Sequence, residues 1–556
     1  MSRRGKIDRR TVLKASGTTL AASIASVAGC LETGDGGDDG GGGDDGGGGD
    51  GNETDDGDGG EGEPAPSQIT ITLSQFPDTI DPLDHITGDY FNVLDHIYEP
   101  MFDFEPGEGI FPRVVEETEI LGGGSTELRL RDDVVFHNGD DLTAEDVAWT
   151  INRTVDPSIG VPSPIGTFGL GSIEGAEATG DYTLEVNYNA APGLAEFEFG
   201  NYARAINKQW AIDNYGADQE GEAIAGASPG DFNGTGPYEV VEFTSGEEVV
   251  LERFDDYWGE APPFETVIFN ADSESSGRVS SVETGESDLT INVLPEDVQT
   301  LESADGVGVR TVTSFRSIFC PMKNTVEPFD SLEFRKAINY AVDNAGIVDT
   351  VLSGFGEARG QPVSPGINGF NPDIEPYAQD VERAESLVEE SGYAGAEIEL
   401  VAPQGRYLND AQVAETAADQ INQLENVNCS ARIVEFPVVS DANSAGVDPE
   451  QFEIPFYMIG WGVITGDTDY GVQGFFTIPD NPNRTFQDQE LSDAILESQQ
   501  IEDPEERTQK LQEVNQLAHE KAPWLFLHTQ ESIYGVNDAI EWEPREDETV
   551  YIWEMS

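Results

Sequence analysis

From Gln68 onward, short runs of alternating apolar and polar residues are interleaved with runs whose apolar positions recur at helical spacing, and the alternation continues to the C-terminus. Period-two patterns predict strands at Gln68–Ser74, with Ile69, Ile71 and Leu73 on one face, and at Glu127–Arg131, Tyr182–Asn189 and Glu248–Phe254. Helices are predicted where a cap precedes an apolar stripe. Asp330-Ser331-Leu332-Glu333 reads as a capping box ahead of Phe334, Ile338, Ala341 and Val342, whose spacing makes one helix face apolar. Thr143-Ala144-Glu145-Asp146 opens a second helix through Val147, Ala148 and Ile151. A third runs from about Asp380 through Val381, Ala384, Leu387 and Val388, with Gly392 placed to end it in the left-handed conformation. No repeat period emerges, so the expected fold class is α/β.

The N-terminus departs from this pattern. Ile7-Asp8-Arg9-Arg10-Thr11-Val12-Leu13-Lys14 resembles a twin-arginine export signal, and the weakly apolar run Ala15–Ala28 suits a signal h-region but is too short for a membrane span. Val27-Ala28-Gly29-Cys30 resembles a lipobox, in which Cys30 receives a lipid and becomes the new N-terminus. Residues 1–29 are thus expected to be a signal peptide. Residues 30–66 are almost only Gly, Asp and Glu, and cannot bury enough apolar surface to offset ordering entropy. They read as a tether, with a calcium-binding or mucin-like stalk as the alternatives. No later segment has the length and apolarity of a transmembrane helix.

Charge sharpens the picture. Of the chain's 28 basic and 108 acidic residues, the signal holds six basic and one acidic, and the tether thirteen acidic, so the folded part keeps 22 against 94, a net of −72. Lysine is nearly absent. This matches the solvated acidic surface of a protein from high salt, where the Debye length is about 3 Å and self-repulsion is screened. Nucleic acid is excluded as a partner because no basic stripe is present to neutralise phosphate. Cys320 and Cys429 remain after Cys30, as a disulfide or as two buried thiols.

Enzyme signatures are missing: there is no Gly-x-Ser-x-Gly, HExxH, P-loop or CxxC, and His85, His96, His137, His519 and His528 lack metal-ligand spacing. The expectation is no catalytic activity, no metal and no cofactor. Paired carboxylates say nothing in so acidic a chain.

One stretch is far more specific. Glu127-Leu128-Arg129-Leu130-Arg131-Asp132-Asp133-Val134-Val135-Phe136-His137-Asn138-Gly139-Asp140, followed by Leu142-Thr143-Ala144-Glu145-Asp146-Val147, resembles the signature of the family 5 extracellular solute-binding proteins, the oligopeptide and dipeptide binders. Gly234-Thr235-Gly236-Pro237-Tyr238, Asp256-Tyr257-Trp258-Gly259, Gly285-Glu286-Ser287-Asp288 and Phe334-Arg335-Lys336-Ala337-Ile338-Asn339-Tyr340-Ala341-Val342-Asp343 follow in order. The resemblance spans about Ser67 to Asn537. It implies a two-lobed, periplasmic-binding-protein-like clamp of the type II, large cluster C form with an extra subdomain. Lobe I would comprise 67–116, 230–316 and 531–556, an inserted subdomain 117–229, and lobe II 317–530. It also implies an importer's receptor, monomeric and lipid-anchored, delivering peptide to ABC permease subunits. The same fold serves oligosaccharides, opines and metal chelates, and a surface sensor could use it without transport.

The resemblance nominates site residues. Gly460-Trp461-Gly462-Val463-Ile464-Thr465-Gly466-Asp467-Thr468-Asp469-Tyr470 resembles the second-lobe loop whose acid receives a peptide's ammonium. Dipeptide binders of the family place that acid soon after the Trp, where this chain has Gly462 to Thr465, so Asp467 or Asp469 would take the role or it is missing, with Trp461 and Tyr470 packing along the ligand; Asp in a Gly-rich turn making local hydrogen bonds is the other reading. Arg406, in Gln404-Gly405-Arg406-Tyr407-Leu408-Asn409-Asp410, aligns with an arginine that binds a ligand carboxylate, a task its forked guanidinium suits; a salt bridge to a nearby acid is the alternative. From the first lobe, Thr87, Gly88 and Tyr90 lie where the family presents backbone groups and an aromatic ring.

Overall fold

The structure is a computed structural model and describes residues 68–76, 81–83, 88–106, 109–156, 170–195, 198, 203–217, 224, 228–446, 454–478 and 484–556. The signal, Cys30, the tether and Thr87 lie outside the described residues. No helix among those described is long and apolar enough to cross a membrane.

A nine-stranded mixed sheet forms the centre. Its order is Ile459–Gly462, Val307–Pro321, Trp524–Asn537, Leu289–Thr290, Gln68–Leu73, Thr266–Ala271, Glu248–Arg253 and Tyr238–Thr244, with Glu357–Ala358 also paired to Trp524–Asn537. Gln68–Leu73 pairs in parallel with both neighbours and is buried on both faces beyond Gln68. Its apparent alternation therefore marks no exposed face, as parallel strands in mid-sheet are covered on both sides.

Two long strands tie the molecule together. Val307–Pro321 runs antiparallel to Trp524–Asn537 from Val307 opposite Asn537 to Pro321 opposite Trp524. Fifteen residues of strand extend about 50 Å. The register slips between Thr313 and Ser317, where Phe315 N–H bonds instead to Glu546 O at 2.7 Å and Ser314 Oγ donates to Gln530 O at 3.0 Å. Such an irregularity bends a strand and re-aims its side chains. Arg316 sits inside it.

Three apolar clusters fill the body. One draws on residues from 69–97, 206–291 and 534–555, including Ile71, Leu94, Phe269 and Val536. A second is built from 279–352, 384–429 and 456–533, including Phe334, Val413 and Leu525. A third joins residues 91–205 to Phe319, Trp461, Phe475 and Trp524. The 91–205 part holds a four-stranded antiparallel sheet, Val115–Ile120, Ser125–Leu130, Thr183–Tyr188 and Ile173–Ala178, against which the helix Ala144–Val155 packs. Cys320 and Cys429 are free, buried thiols within the second cluster.

Helix caps follow the sequence with one shift. The helix Ala144–Val155 starts where Asp146 Oδ2 accepts from both Thr143 N–H, at 3.0 Å, and Thr143 Oγ1, at 2.6 Å. Val381–Ser391 is capped by Asp380, which accepts from Arg383 N–H, and ends at Gly392 with φ +81°. The helix Leu332–Ala341 takes Ser331 rather than Asp330 as its cap, so Glu333 falls one place short of the capping-box position and bonds to Ser331 Oγ instead. The glycines of Gly234-Thr235-Gly236 serve close approach. A Cβ on Gly234 or Gly236 would fall 1.9 Å from Ile97 O or 2.4 Å from His96 O, so only glycine lets this segment lie against the end of helix Gly88–Ile97.

Candidate functional site

A small cavity of about 20 Å³, lined by polar and apolar groups alike, lies where these elements converge. Its walls are Gly88 and Asn92 from the first turns of helix Gly88–Ile97, Ile291 and Asn292 after the short strand Leu289–Thr290, and Arg316. Gln530, Ser532 and Tyr534 of strand Trp524–Asn537, Glu548 near the C-terminus, and Arg406 close it. That volume holds about one water, so any larger occupant requires the walls to part.

Arg406 is presented by a parallel βαβ unit. Strands Ala396–Pro403 and Val427–Val434 pair in parallel, with helix Asp410–Ile421 between them in sequence, and the 404–409 loop leaves the carboxyl end of the first strand. Loops at that end are where open α/β sheets bind ligands. Asp410 shapes the loop: its carboxylate accepts from the backbone N–H groups of Gly405 (3.1 Å), Arg406 (2.9 Å), Tyr407 (3.1 Å) and Ala411 (2.8 Å). Burial pushes the Asp410 carboxyl up, and those same bonds pull it back. The Arg406 guanidinium is buried against Tyr407 and Phe436, 5.4 Å from each ring centre.

The second guanidinium, Arg316, was not visible as a site residue in the sequence. Its Nε donates to Glu548 Oε2 at 2.8 Å, and Nη2 donates to the same oxygen. Glu548 Oε1 accepts from Ser532 Oγ at 2.7 Å and Gln530 Nε2 at 3.2 Å. Burial raises the Glu548 carboxyl, but the charge and hydrogen bonding of Arg316, the Ser532 hydrogen bond and the nearby Arg406 charge outweigh it and hold the group below the usual carboxylate range. Arg316 lies opposite Gly462 on strand Ile459–Gly462. A Cβ there would come within 3.3 Å of Nη2, and one on Gly88 within 3.6 Å. The partners Arg316 and Glu548 are 232 residues apart, and only the re-aimed strand joins them.

Apart from Gly88, the other nominated residues among those described do not line the cavity. Trp461 pairs opposite Ser317 and turns its ring into the apolar cluster, with Tyr470 at 5.6 Å and Phe475 edge-on at 5.0 Å. Tyr470 is buried on helix Thr468–Phe476. Asp467 caps that helix through Asp469 N–H, and its two oxygens accept from Arg507 Nη1 (2.5 Å) and Nη2 (2.9 Å), with Asn368 Nδ2 at 2.8 Å. Asp469 is fully buried; Oδ1 accepts from Gln499 Nε2 at 3.0 Å, while Oδ2 has no hydrogen-bond partner among the described residues. Burial pushes its carboxyl up to about 7, Arg507 opposing and Asp467 adding to the shift. Gly88 borders the cavity, whereas Tyr90 packs beside the first apolar cluster. No group of three or more His, Cys, Asp or Glu among the described residues could hold a metal ion.

Residues 110–483 match the family of bacterial extracellular solute-binding proteins, family 5 Middle. The chain belongs to that family. Family 5 proteins are the solute-binding components of ABC importers, which bind small ligands or peptides and deliver them to membrane permeases. Among curated relatives, the glutathione-binding protein GsiB of Escherichia coli K12 is 21% identical over 472 residues, covering 83% of this chain and 89% of its own. Among solved structures, DppA from Helicobacter pylori in complex with the peptide STSA aligns with a TM-score of 0.77 at 20% identity, covering 88% of this chain and 98% of that one. NikA from Staphylococcus aureus in complex with Ni(L-His)2 aligns at 0.73 and 19%, covering 88% and 99%. The two-lobed binding-protein fold of this family 5 member follows from those alignments, and its cavity lies among elements of both long strands.

Proposed function

We propose that this chain is the extracellular, lipid-anchored receptor of a peptide importer and that Arg406 holds the peptide's carboxylate. The observation that carries the reading is the convergence of Arg406 and Arg316 on one small cavity, in a chain whose folded part has so few cations. A guanidinium in a desolvated wall is well suited to a carboxylate and poorly suited to a neutral sugar. Gly88 contributes to the opposing wall. Of the two nominated acids, Asp467 is committed to Arg507; Asp469 keeps one oxygen, Oδ2, without a hydrogen-bond partner among the described residues and, buried outside the cavity wall, is the acid left for a ligand amine once the walls part, with Trp461 and Tyr470 as the nominated packing surface. The lobes divide as 67–116, 230–316 and 531–556 against 317–530, with 117–229 inserted, and close around the ligand.

In this reading the twin-arginine signal of residues 1–29 is removed, Cys30 carries the lipid, and 30–66 spaces a monomeric, non-catalytic clamp from the membrane. The experiment is calorimetry in molar salt with whatever ligand co-purifies, identified by mass spectrometry. Arg406→Ala weakens binding of a carboxylate ligand by about 2–5 kcal/mol, because truncation removes the partner of a desolvated charge. Unchanged affinity would refute the placement, and a neutral sugar as the co-purified ligand would refute the peptide.

A further inference from the structure

Five asparagines begin the acceptor triplet Asn-x-Ser/Thr: Asn52, Asn152, Asn233, Asn428 and Asn483. Asn52 and Asn483 lie outside the described residues. The fold treats the other three differently. The Asn152 carboxamide is used at both ends: Nδ2 donates to Ala176 O at 2.8 Å, and Oδ1 accepts from Ala176 N–H at 2.9 Å. The hydroxyl of its triplet is buried, with Thr154 Oγ1 donating to Thr150 O at 2.8 Å. Asn233 is 1% exposed, accepts from Asn138 N–H at 3.1 Å, and heads a triplet that ends on a fully buried Thr235. Asn428 is the reverse case. It is the second residue of strand Val427–Val434, where Val427 and Cys429 are buried while Asn428 and Ser430 are exposed, so the pleat turns carboxamide and hydroxyl outward on one face. Neither of these two side chains is engaged in a hydrogen bond among the described residues. Asn428 pairs with Glu397, at the amino end of the parallel pair, whereas the Arg406 loop leaves the carboxyl end after Pro403. Strand rise puts roughly 20 Å between the two ends, so a bulky group on Asn428 stands clear of the cavity.

We infer that Asn428 is an N-glycosylation site, the one described triplet that a transferase can use on the folded chain. The inference rests on the proposed export by the twin-arginine route, which carries folded proteins: a triplet closed by folding is never presented to a transferase on the outer face. The donor is a saccharide joined through phosphate to a lipid. The bond that forms joins Asn428 Nδ2 to the anomeric carbon, and the amide proton passes to a base of the transferase. The bond that breaks is the one from the anomeric carbon to the phosphate oxygen, and the lipid phosphate leaves with the electron pair. A glycan attached there is bulky and hydrophilic, and it belongs on a surface.

The test is glycopeptide mass spectrometry of the full chain purified from the membranes of its own host, covering the triplets of Asn152, Asn233 and Asn428 and the peptide at Cys30, on the wild type, Ser430→Ala and Ser430→Thr. A saccharide mass is found on Asn428 and on neither Asn152 nor Asn233. It disappears in Ser430→Ala, where Asn428 itself is unchanged, and persists in Ser430→Thr, so loss of the glycan reports the triplet rather than a disturbed fold. Bare Asn428 on a chain processed at Cys30 overturns the inference and leaves the export reading standing. A saccharide on Asn152 or Asn233 as well shows transfer before folding, and overturns the selection of Asn428 by its exposure. A chain that keeps its signal overturns the export reading and the inference with it.

Discussion

Asp467→Ala separates a structural carboxylate from a ligand-binding one. In the folded protein both Asp467 oxygens are engaged by Arg507 at 2.5 and 2.9 Å, and Oδ1 also caps helix Thr468–Phe476 through Asp469 N–H at 2.9 Å. Both partners are buried, with side-chain exposures of 1% and 8%. Removing the carboxylate leaves the Arg507 guanidinium in an apolar setting without its counter-charge, which costs about 3–5 kcal/mol. Loss of the cap adds about 1 kcal/mol. With an unfolding entropy of about 2.1 cal/mol/K per residue, a folded unit of roughly 490 residues shifts by about 1 °C per kcal/mol, so the melting temperature falls by about 4–6 °C. The assay is thermal unfolding followed by circular dichroism in molar salt. Asp467→Ala combined with Arg507→Met recovers most of the loss, because a buried pair replaced by apolar groups is often neutral. A fall smaller than about 2 °C, or a double variant no better than the single, would refute the assignment of Asp467 to the fold.

Asp469 gives a pH dependence of opposite sign to that of an ion-paired acid. Its folded carboxyl is raised to about 7, above its unfolded value, so the native state binds the extra proton and stability falls as pH rises from about 4 to about 7; Asp469→Asn flattens the melting temperature over that window, and an unchanged slope would contradict the burial argument. Lowering salt from molar to 0.1 M lengthens the Debye length from about 3 to about 10 Å, and the net −72 of the folded part then lowers the melting temperature steeply; a constant value would show that self-repulsion is not what salt relieves. Cys30→Ser releases the protein to the medium or leaves it unprocessed, with the same melting temperature; undiminished membrane partitioning would rule out the lipobox.

What the sequence by itself determined is local or family-wide. Caps at Thr143 and Asp380 and the left-handed stop at Gly392 act within a few residues, so their chemistry is visible in the string and recurs in the structure. The ordered motifs from Glu127 to Asp343 sufficed for the family because glycines such as Gly234 and Gly236 answer to backbone contacts that tolerate no side chain. Arg406 could be nominated because its segment resembles the family's carboxylate-binding arginine and runs directly into the helix Asp410–Ile421. Tertiary structure alone decided what those groups meet. Asp467 and Asp469 are two residues apart and equivalent as a pattern, yet one faces Arg507 on a helix 40 residues further on and the other bonds to Gln499, with no cation in hydrogen-bonding distance among the described residues. Arg316 and Glu548 meet only because a strand slips its register in mid-sheet and the C-terminal segment returns beside it. Charge pairing at such a distance depends on where two backbones are brought together, and no spacing along the chain encodes it.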